Sequence, residues 1–242
     1  MKNPLPTSSV SLPRSRKPLL YRNFSLNAFA VTAVILGLML PAHAKLLDNF
    51  NDNIKTAWTD TSNGGSIDEA LGVFTITTTG TAGALSSSKK TSDLFTNALG
   101  HTIELRVGVN SISPGGAATN GHAVLGWVPS GALNSSGYSV SVGVGNITVY
   151  RAGVGIYTSN LVTAIQSTNL VVVMRLTPSG GAVNIRASVY KRGNGDNLLL
   201  FEHTVNDATG ILGAGNAALG ALNLPSGRLP QRSLMMFKDS TS

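Results

Sequence analysis

The sequence feature that most limits the fold is an alternating pattern from Leu170 to Lys191, which reads LVVVMRLTPSGGAVNIRASVYK. In both halves apolar side chains occupy every second position, as in strands that bury one face. The centre, residues 178–181, is Pro-Ser-Gly-Gly, in which proline favours the second position of a turn and glycine accepts a positive φ. The stretch therefore predicts a β-hairpin. Because Val171 and Val173 are apolar on the second face, the first strand is also expected to be covered on both sides.

Shorter stretches repeat the same alternation along the chain. Strands are predicted at residues 71–78, 103–109, 122–128, 138–144, 147–151, 154–158, 198–205 and 234–237. Stretches rich in Gly, Asn and Ser separate them, and no long segment has the 3.6-residue period of an amphipathic helix. The prediction is an all-β fold, either a β-sandwich or a β-barrel.

The first 44 residues differ in composition from the rest of the chain. Five basic residues precede an apolar run at 28–40, and Ala-His-Ala at 42–44 fits a signal-peptidase site. We expect cleavage after Ala44, which leaves residues 45–242 as a single β-sandwich domain that is secreted, periplasmic or held at the cell surface. The alternative is an uncleaved membrane anchor, for which the run is short, since a bilayer span needs roughly 20 apolar residues.

Removal of this leader changes the charge of the protein. The whole chain carries a formal net charge of +7, but the leader holds five of the 18 basic residues and none of the 11 acidic ones. The remainder has 13 basic and 11 acidic residues, a net charge of +2, so nucleic-acid binding is not predicted.

The chain has no cysteine and therefore no disulfide. This composition is typical of an exported bacterial β-protein.

The opening residues 46–53, LLDNFNDN, are followed by Trp58, by LGVFTIT at 71–77 and by TPSGGAVNIRASVYK at 177–191. In these features the chain resembles bacterial concanavalin A-like, or laminin G-type, jelly-roll modules over most of residues 46–239. The resemblance implies a double-sheet jelly roll that is often sugar-binding and sometimes calcium-binding. Such modules commonly close with a strand of Asp-Asn-Phe type. Here the chain ends in Lys-Asp-Ser-Thr-Ser, so that final strand is expected to be absent or differently made.

The Asp/Asn residues between Asp48 and Asn53 predict turns, because such side chains bond their own backbone. Their acidic spacing also suggests a calcium loop. It departs from the EF-hand pattern, since Phe50 occupies the third position and no glycine stands at the sixth. A different calcium site stays open, and the Asp48–Asp52 and Asp239 regions are the first places to seek it. No other cofactor is predicted.

Motifs for catalysis are not recognised. Sugar-cleaving relatives carry Glu-x-Asp-x-x-Glu on one strand, whereas Asp68 and Glu69 point to opposite faces of an extended chain. Gly-x-Ser-x-Gly is absent, and the histidines lack metal-type spacing. A loose dinucleotide fingerprint at 213–218 does not belong to a βαβ unit and is interpreted as a Gly/Ala-rich loop. A non-catalytic protein is favoured over a polysaccharide hydrolase or lyase.

Sugar sites in β-sandwiches usually pair an aromatic platform with polar hydrogen-bonding groups. Tyr190 is expected to share the outward face of its strand with Arg186, and Tyr150 to lie on a similar polar face, so that the two faces form one surface. With Trp127, these residues are the candidate ligand-binding set. The alternative is that Trp127 fills the core and the tyrosines shield sheet edges.

The leading functional prediction is an exported, non-catalytic module that binds extracellular polysaccharide or another cell-surface polymer. The alternative is a structural or adhesive surface protein without a small ligand, which the content of Gly, Ala, Ser and Thr favours. The sequence predicts neither the identity of the ligand nor the oligomeric state.

Overall fold

The structure is a computed structural model. It describes residues 45–50, 52–62, 65–70, 72–78, 83–112, 121–133, 135–143, 146–160, 169–193, 197–223 and 231–236, and the side chains of residues 160, 223 and 231–236 are not considered. The predicted signal peptide, residues 1–44, lies outside the described residues, as does Asp239. Within the described ranges there is no helix long and apolar enough to cross a membrane.

The described residues form strands joined by turns and loops, and contain no helix. The strands in chain order are β1 (Trp58–Thr61), β2 (Ile67–Ala70), β3 (Val73–Thr78), β4 (Leu85–Lys90), β5 (Phe95–Asn97), β6 (Ile103–Ile112), β7 (Gly121–Val128), β8 (Tyr138–Gly143), β9 (Asn146–Arg151), β10 (Val154–Asn160), β11 (Leu170–Ser179), β12 (Ala182–Lys191), β13 (Leu198–Asp207), β14 (Gly213–Asn223) and β15 (Gln231–Met236).

The strands form two antiparallel sheets. In Sheet I the order is β1-β4-β14-β7-β8-β9-β10, with β5 paired to one end of β14. In Sheet II the order is β13-β12-β11-β6-β15-β3-β2. The two sheets pack as a sandwich, so the predicted all-β, two-sheet fold is confirmed.

The predicted hairpin is confirmed as β11 and β12. Its register runs from Leu170 opposite Lys191 to Ser179 opposite Ala182, and Gly180 takes a φ of 62° in the turn. Val171 and Val173 are buried although they face away from the other apolar residues of β11, as the sequence predicts. Both strands are interior strands of Sheet II, because β12 also pairs with β13 and β11 also pairs with β6.

The core lies between the sheets and collects the alternate apolar residues of both. Its largest fully buried side chains are Trp127, Tyr138, Phe50, Phe74, Ile76, Leu125, Ile147, Leu170, Met174, Leu176, Ile185 and Leu219. Full burial of a large apolar side chain stabilises a fold by about 1.5–3 kcal/mol. In the absence of disulfides, this core is the main source of stability.

The stretch at 213–218, interpreted above as a loop, is part of β14 in the middle of Sheet I. That interpretation was wrong because the small residues are required by packing. A Cβ on Gly215 would lie 2.6 Å from the indole of Trp127, so this strand approaches the core only with a glycine there. The last described strand, β15, lies between β3 and β6. The expectation that the final strand is absent or differently made concerns residues 237–242, which lie outside the described residues.

Aromatic contacts join the sheets along both open sides of the sandwich. On one side, Phe50 stacks on Phe74 of β3 with ring centroids 4.8 Å apart, and Trp58 of β1 lies 5.4 Å from Phe74. On the other side, Tyr157 of β10 stacks on His203 of β13 at 3.9 Å. The Trp58 and Tyr157 contacts each pair an edge strand of Sheet I with a strand of Sheet II, whereas Phe50 belongs to the segment before β1.

A polar network joins the sheets at one end. Asp207 of β13 accepts hydrogen bonds at Oδ2 from Tyr138 Oη and from Arg151 Nε, each 2.7 Å long. The same Tyr138 hydroxyl accepts the backbone N–H of Ile211 at 2.7 Å. Burial and the bond to Asp207 raise the pKa of Tyr138 to about 12. Burial alone would raise the pKa of Asp207, but the bonds from Tyr138, Arg151 and the Thr209 amide hold it below its ordinary value.

Replacing Asp207 by asparagine is expected to lower the free energy of unfolding by about 1–2 kcal/mol. The asparagine amide keeps the shape of the side chain but lacks the negative charge to which Tyr138 and Arg151 donate. Denaturant unfolding of the wild type and the variant measures the difference. The matched control is Asn206→Ala, since the exposed Asn206 bonds only the Asn184 side chain across the sheet in the described structure. Equal losses in both variants would mean that the network does not stabilise the end of the sandwich.

Candidate functional site

The outer face of Sheet I is the side turned away from Sheet II. On β7, β8 and β9 the core receives every second residue, so the intervening ones define this face. The register places them in rows across the three strands: Val124, Ser141 and Thr148 form one row, and Gly126, Ser139 and Tyr150 the next. Small and hydroxyl-bearing side chains therefore dominate this face, and Val124, Ser139, Ser141 and Thr148 are buried there.

A cavity of about 270 Å³ opens on this face, and we call it the Sheet I cavity. Its lining combines apolar, glycine, serine and tyrosine residues: Gly83, Leu85, Val124, Leu133, Ser139, Tyr150, Gly153 and Leu222. Tyr150 is half-buried and supplies its only aromatic ring among the described lining residues. The cavity thus offers an apolar floor with a hydroxyl and a phenol at its side.

One wall of the cavity depends on two glycines. The side chain of Leu133, from the loop between β7 and β8, rests on Gly126 and Gly220. A Cβ on Gly126 would lie 2.2 Å from Leu133 Cδ1, and one on Gly220 would lie 2.9 Å from Cδ2. These positions accept no larger side chain while Leu133 stays in place. The sequence pattern therefore shapes the cavity through residues that carry no functional group.

Polar groups without protein partners lie on the same sheet face. His122 Nδ1, Ser141 Oγ and Asn146 Oδ1 are buried, and no hydrogen bond satisfies them within the described structure. The imidazole of His122 lies over Gly143, its cross-strand neighbour, where a Cβ would come within 2.4 Å of the ring. Burial lowers the pKa of His122 to about 4, so the ring is neutral near pH 7. Buried polar atoms of this kind are uncommon and mark positions where water or a ligand bonds.

Trp127, one of the four predicted binding residues, is fully buried in the core. Its indole stacks on Tyr138 with centroids 6.3 Å apart, and Nε1 donates to the carbonyl of Phe95 at 3.0 Å. No ring face is left for a sugar, so the alternative of a core tryptophan holds. The apolar residues on both faces of β7 hid this orientation from the sequence pattern.

The other three predicted residues are not brought together. Tyr150 lies on the outer face of Sheet I, whereas Arg186 and Tyr190 alternate with core residues of β12 and lie on the outer face of Sheet II. The expectation that these two faces form one surface was wrong, because β9 and β12 belong to different sheets whose outer faces point in opposite directions. Arg186 lies 3.8 Å from Glu202 of the neighbouring strand. The binding roles of Tyr150, Arg186 and Tyr190 stay predictions.

The remaining lining residues of the Sheet I cavity were not predicted. Leu85 comes from β4, Leu222 from β14 and Leu133 from a loop, and these lie far apart in the sequence. No local pattern distinguishes them from core leucines. The one available signal was the row of small residues on β7 and β8, which leaves room above the sheet.

A second polar group, the acidic cluster, consists of Asp48, Asp52 and Glu69. One carboxylate oxygen from each lies within 4.8 Å of the others. The turn prediction for this segment is confirmed, since Asp48 Oδ1 accepts the Phe50 amide at 2.9 Å and Asp52 Oδ1 accepts the Ile54 amide at 3.1 Å. Burial and the neighbouring Asp52 and Asp48 raise the pKa of Glu69 to about 7.

Asp48 also accepts hydrogen bonds at Oδ2 from Trp58 Nε1 at 2.7 Å and from Lys90 Nζ at 3.0 Å. Burial opposes ionisation, but these bonds and the Phe50 amide keep the pKa of Asp48 below its ordinary value. The cluster therefore holds one firmly ionised, paired carboxylate, Asp48, beside the buried Glu69, whose pKa is raised.

No protein-family model and no curated protein matches the chain. Solved structures do match. Arcelin-5, a lectin-like defense protein from Phaseolus vulgaris, superposes with a TM-score of 0.52 and 11% identity over 77% of this chain and 96% of its own. The exoplasmic/lumenal domain of VIP36, in a Ca²⁺/Man2-bound form, gives a TM-score of 0.50 and 11% identity over 81% of this chain and 88% of its own. The fold is a concanavalin A-like jelly roll, as the sequence resemblance implied.

Proposed function

We propose that this protein is an exported, non-catalytic module that binds glycan in the Sheet I cavity. The observation that carries the proposal is the half-buried Tyr150 ring beside an apolar floor and the hydroxyl of Ser139. Arcelin-5 is named as lectin-like and the VIP36 domain as Man2-bound. A shared fold does not establish a shared activity, but it supports carbohydrate as the ligand class.

The chemistry of the cavity suits a pyranose. A sugar ring has an apolar C–H face and a rim of hydroxyl groups, and sites for it combine an aromatic surface with a few placed polar groups. In the proposed mode the C–H face packs on Tyr150 and the leucines, and sugar hydroxyls bond Ser139.

The biological setting belongs to the same proposal. Export through a leader cleaved after Ala44 would bring the module to an extracellular polysaccharide or a cell-surface polymer, with no nucleic acid or membrane as partner. Calcium is proposed as an accompanying ion. Its support is the presence of three clustered carboxylates, the donor type that Ca²⁺ prefers.

Changing Tyr150 to alanine is expected to weaken glycan binding at least about tenfold, equivalent to 1.4 kcal/mol, because the ring would supply the main stacking surface. The measurement is the shift of the unfolding midpoint, and then calorimetry, with mannobiose and a panel of soluble polysaccharides. Tyr190→Ala is the matched control, since it removes a half-buried tyrosine from the opposite face of the sandwich.

The two variants discriminate the possible sites. Loss of binding in Tyr190→Ala with normal binding in Tyr150→Ala would move the site to Sheet II. If no glycan shifts the midpoint of the folded wild type, the structural or adhesive alternative gains the advantage. Release of reducing sugar from any polysaccharide in the panel would instead revive a hydrolase.

A further inference from the structure

Two arginines lie directly opposite each other on the outer face of Sheet II. Arg175 of β11 and Arg186 of β12 are partners in the hairpin register, and both alternate with core residues, so their side chains leave the sheet on the same side. Opposed residues of an antiparallel pair have Cβ atoms about 4.5–5.5 Å apart, and like charges at such positions destabilise a sheet. The hairpin therefore holds two permanent positive charges close together in its middle.

Glu104 of β6 does not neutralise Arg175. It is opposite Arg175 on the other side of β11, but its Oε1 accepts a hydrogen bond from Arg106 Nη2 at 3.4 Å. Within the described ranges Arg175 makes no ion pair and no side-chain hydrogen bond. The residue is half-buried, so solvent reaches only part of it. Its N–H donors are therefore available to a ligand.

Arg186 is also incompletely satisfied. Its Nη1 lies 3.8 Å from Glu202 Oε2, beyond hydrogen-bond distance, and that oxygen accepts the Ser188 hydroxyl at 3.0 Å. Its Nε is buried and has no hydrogen-bond partner among the described residues. Buried polar atoms normally have a partner, because the lost contact with water is otherwise uncompensated. The two adjacent arginines therefore lack an anion that would bond both.

We propose that Arg175 and Arg186 form an oxyanion site, which we call the Sheet II clamp, and that its ligand is an acidic polysaccharide. A planar guanidinium binds a carboxylate or a sulfate through two parallel hydrogen bonds. An anionic group between the two arginines supplies acceptors for their N–H groups and removes the repulsion between their charges. Thr177 and Asn184, the next polar pair in the register on this face, present a hydroxyl and an amide to the sugar beside that group.

The charges around the clamp favour isolated anionic groups over a dense polyanion. Glu104 and Glu202 flank the two arginines, and residues 45–242 carry a net charge of only +2. A nucleic acid needs an extended row of positive groups, which these glutamates interrupt. A polysaccharide with a carboxylate or a sulfate on some of its sugar units can place a single charge in the clamp. Both glutamates are exposed, so the two ends of the site are open to solvent.

The clamp goes beyond the proposed glycan site and does not depend on it. None of its residues lines the Sheet I cavity, and the two sites lie on opposite outer faces of the sandwich. A neutral glycan suits the cavity, whereas the clamp requires a charged group. The two proposals can therefore be tested with different ligands.

Three forms of one polymer test the clamp: dextran, carboxymethyl dextran and dextran sulfate, the last two at low substitution. They share a backbone and differ only in the anionic group, so the difference between a charged form and dextran isolates the contribution of the clamp. By calorimetry, the purified wild type is expected to bind a charged form at least about tenfold more tightly than dextran. The tighter of the two charged forms identifies the group that the clamp prefers, a carboxylate or a sulfate.

Arg175→Gln and Arg186→Gln are each expected to weaken this binding at least about tenfold, because each removes one half of the clamp. Arg175→Lys keeps the charge but loses the paired N–H groups, and should weaken binding by a smaller factor. Lys191→Gln is the matched control, since it removes one positive charge from an exposed position on the same strand as Arg186 and should change the affinity by less than about twofold. Without any anion, Arg175→Gln should be as stable as the wild type or more so, because it relieves the repulsion.

Two results would overturn the proposal. One is equal affinity of the folded wild type for dextran and for both charged forms. The other is an equal loss of affinity in Lys191→Gln and in the two arginine variants, which would mean that the protein attracts polyanions only through its overall charge. Tyr150→Ala should retain the difference between charged and neutral dextran, so failure of the glycan proposal and failure of the clamp are distinguishable.

Discussion

Replacing Trp127 by alanine is expected to lower the free energy of unfolding by about 3–5 kcal/mol, the range for a buried aromatic residue. The indole fills the core between the sheets, stacks on Tyr138 and approaches the backbone of Gly215 too closely for any Cβ. Its removal leaves a cavity and also leaves the carbonyl of Phe95 without its donor. Denaturant unfolding followed by circular dichroism measures the loss.

The same variant separates two roles of a tryptophan in a sandwich. Removing a sugar platform would abolish binding and preserve stability, whereas removing a core residue destabilises the protein. Trp127→Phe is the control, since it retains an aromatic ring and loses the N–H and part of the volume. An unchanged free energy of unfolding in Trp127→Ala would contradict the burial of this side chain.

Acidification is expected to destabilise the protein by about 3 kcal/mol through His122 alone. Burial lowers the pKa of this imidazole in the folded state to about 4, whereas the unfolded chain has a value near 6.5. Between these values the unfolded state binds the proton and the folded state does not. The part of the free energy of unfolding that comes from the neutral, buried His122 is therefore fully present above about pH 6.5. It falls as the pH is lowered, and it is lost once the pH passes below about 4.

The measurement compares the free energies of unfolding of the wild type and His122→Gln at pH 7, 5.5 and 4. Taking the difference between the proteins cancels the carboxylates that titrate in both. Between pH 7 and pH 4, the wild type should lose about 3 kcal/mol of unfolding free energy relative to His122→Gln. An NMR titration of the imidazole supplies an independent value. A midpoint near 6.5 in the folded protein would contradict the burial of His122 on the Sheet I face.

The parts of the fold that could be predicted depend on local periodicity. In the hairpin of residues 170–191, the alternation of apolar side chains and the Pro-Ser-Gly-Gly turn act on neighbouring residues, and the register follows from them. The Asp48 and Asp52 turns are equally local, because each side chain bonds a backbone amide two residues on. Such features need no knowledge of the rest of the chain.

The candidate site could not be predicted in the same way, because it depends on which sheet a strand joins. Tyr150 and Tyr190 both lie on faces that alternate with apolar residues, and the alternation does not distinguish Sheet I from Sheet II. The Gly/Ala-rich residues of β14 have low strand propensity, yet the strand forms because its small side chains fit beside Trp127. Tertiary packing decides both cases.

The acidic cluster could be predicted only in part. The region of Asp48 to Asp52 could be singled out from its composition, since acidic and amide side chains are frequent there. Glu69 could not, because seventeen residues or more separate it from them and nothing local indicates that an edge strand turns its glutamate inward. Alternation did predict that Asp68 and Glu69 face opposite sides, and the structure confirms it.

The positions of β14 and β15 determine when this protein can finish folding. β14 lies between β4 and β7, and β15 lies between β6 and β3, so each sheet is divided until a strand that comes later in the sequence enters its middle. The bonds from Asn97 to the Ile211 carbonyl and from Asn216 to the Asp93 carbonyl close loops of 114 and 123 residues. Contacts of such sequence separation form slowly. A chain that has been synthesised only to residue 200 therefore holds two incomplete sheets with exposed edges, and the sandwich assembles only once β14 and β15 are available.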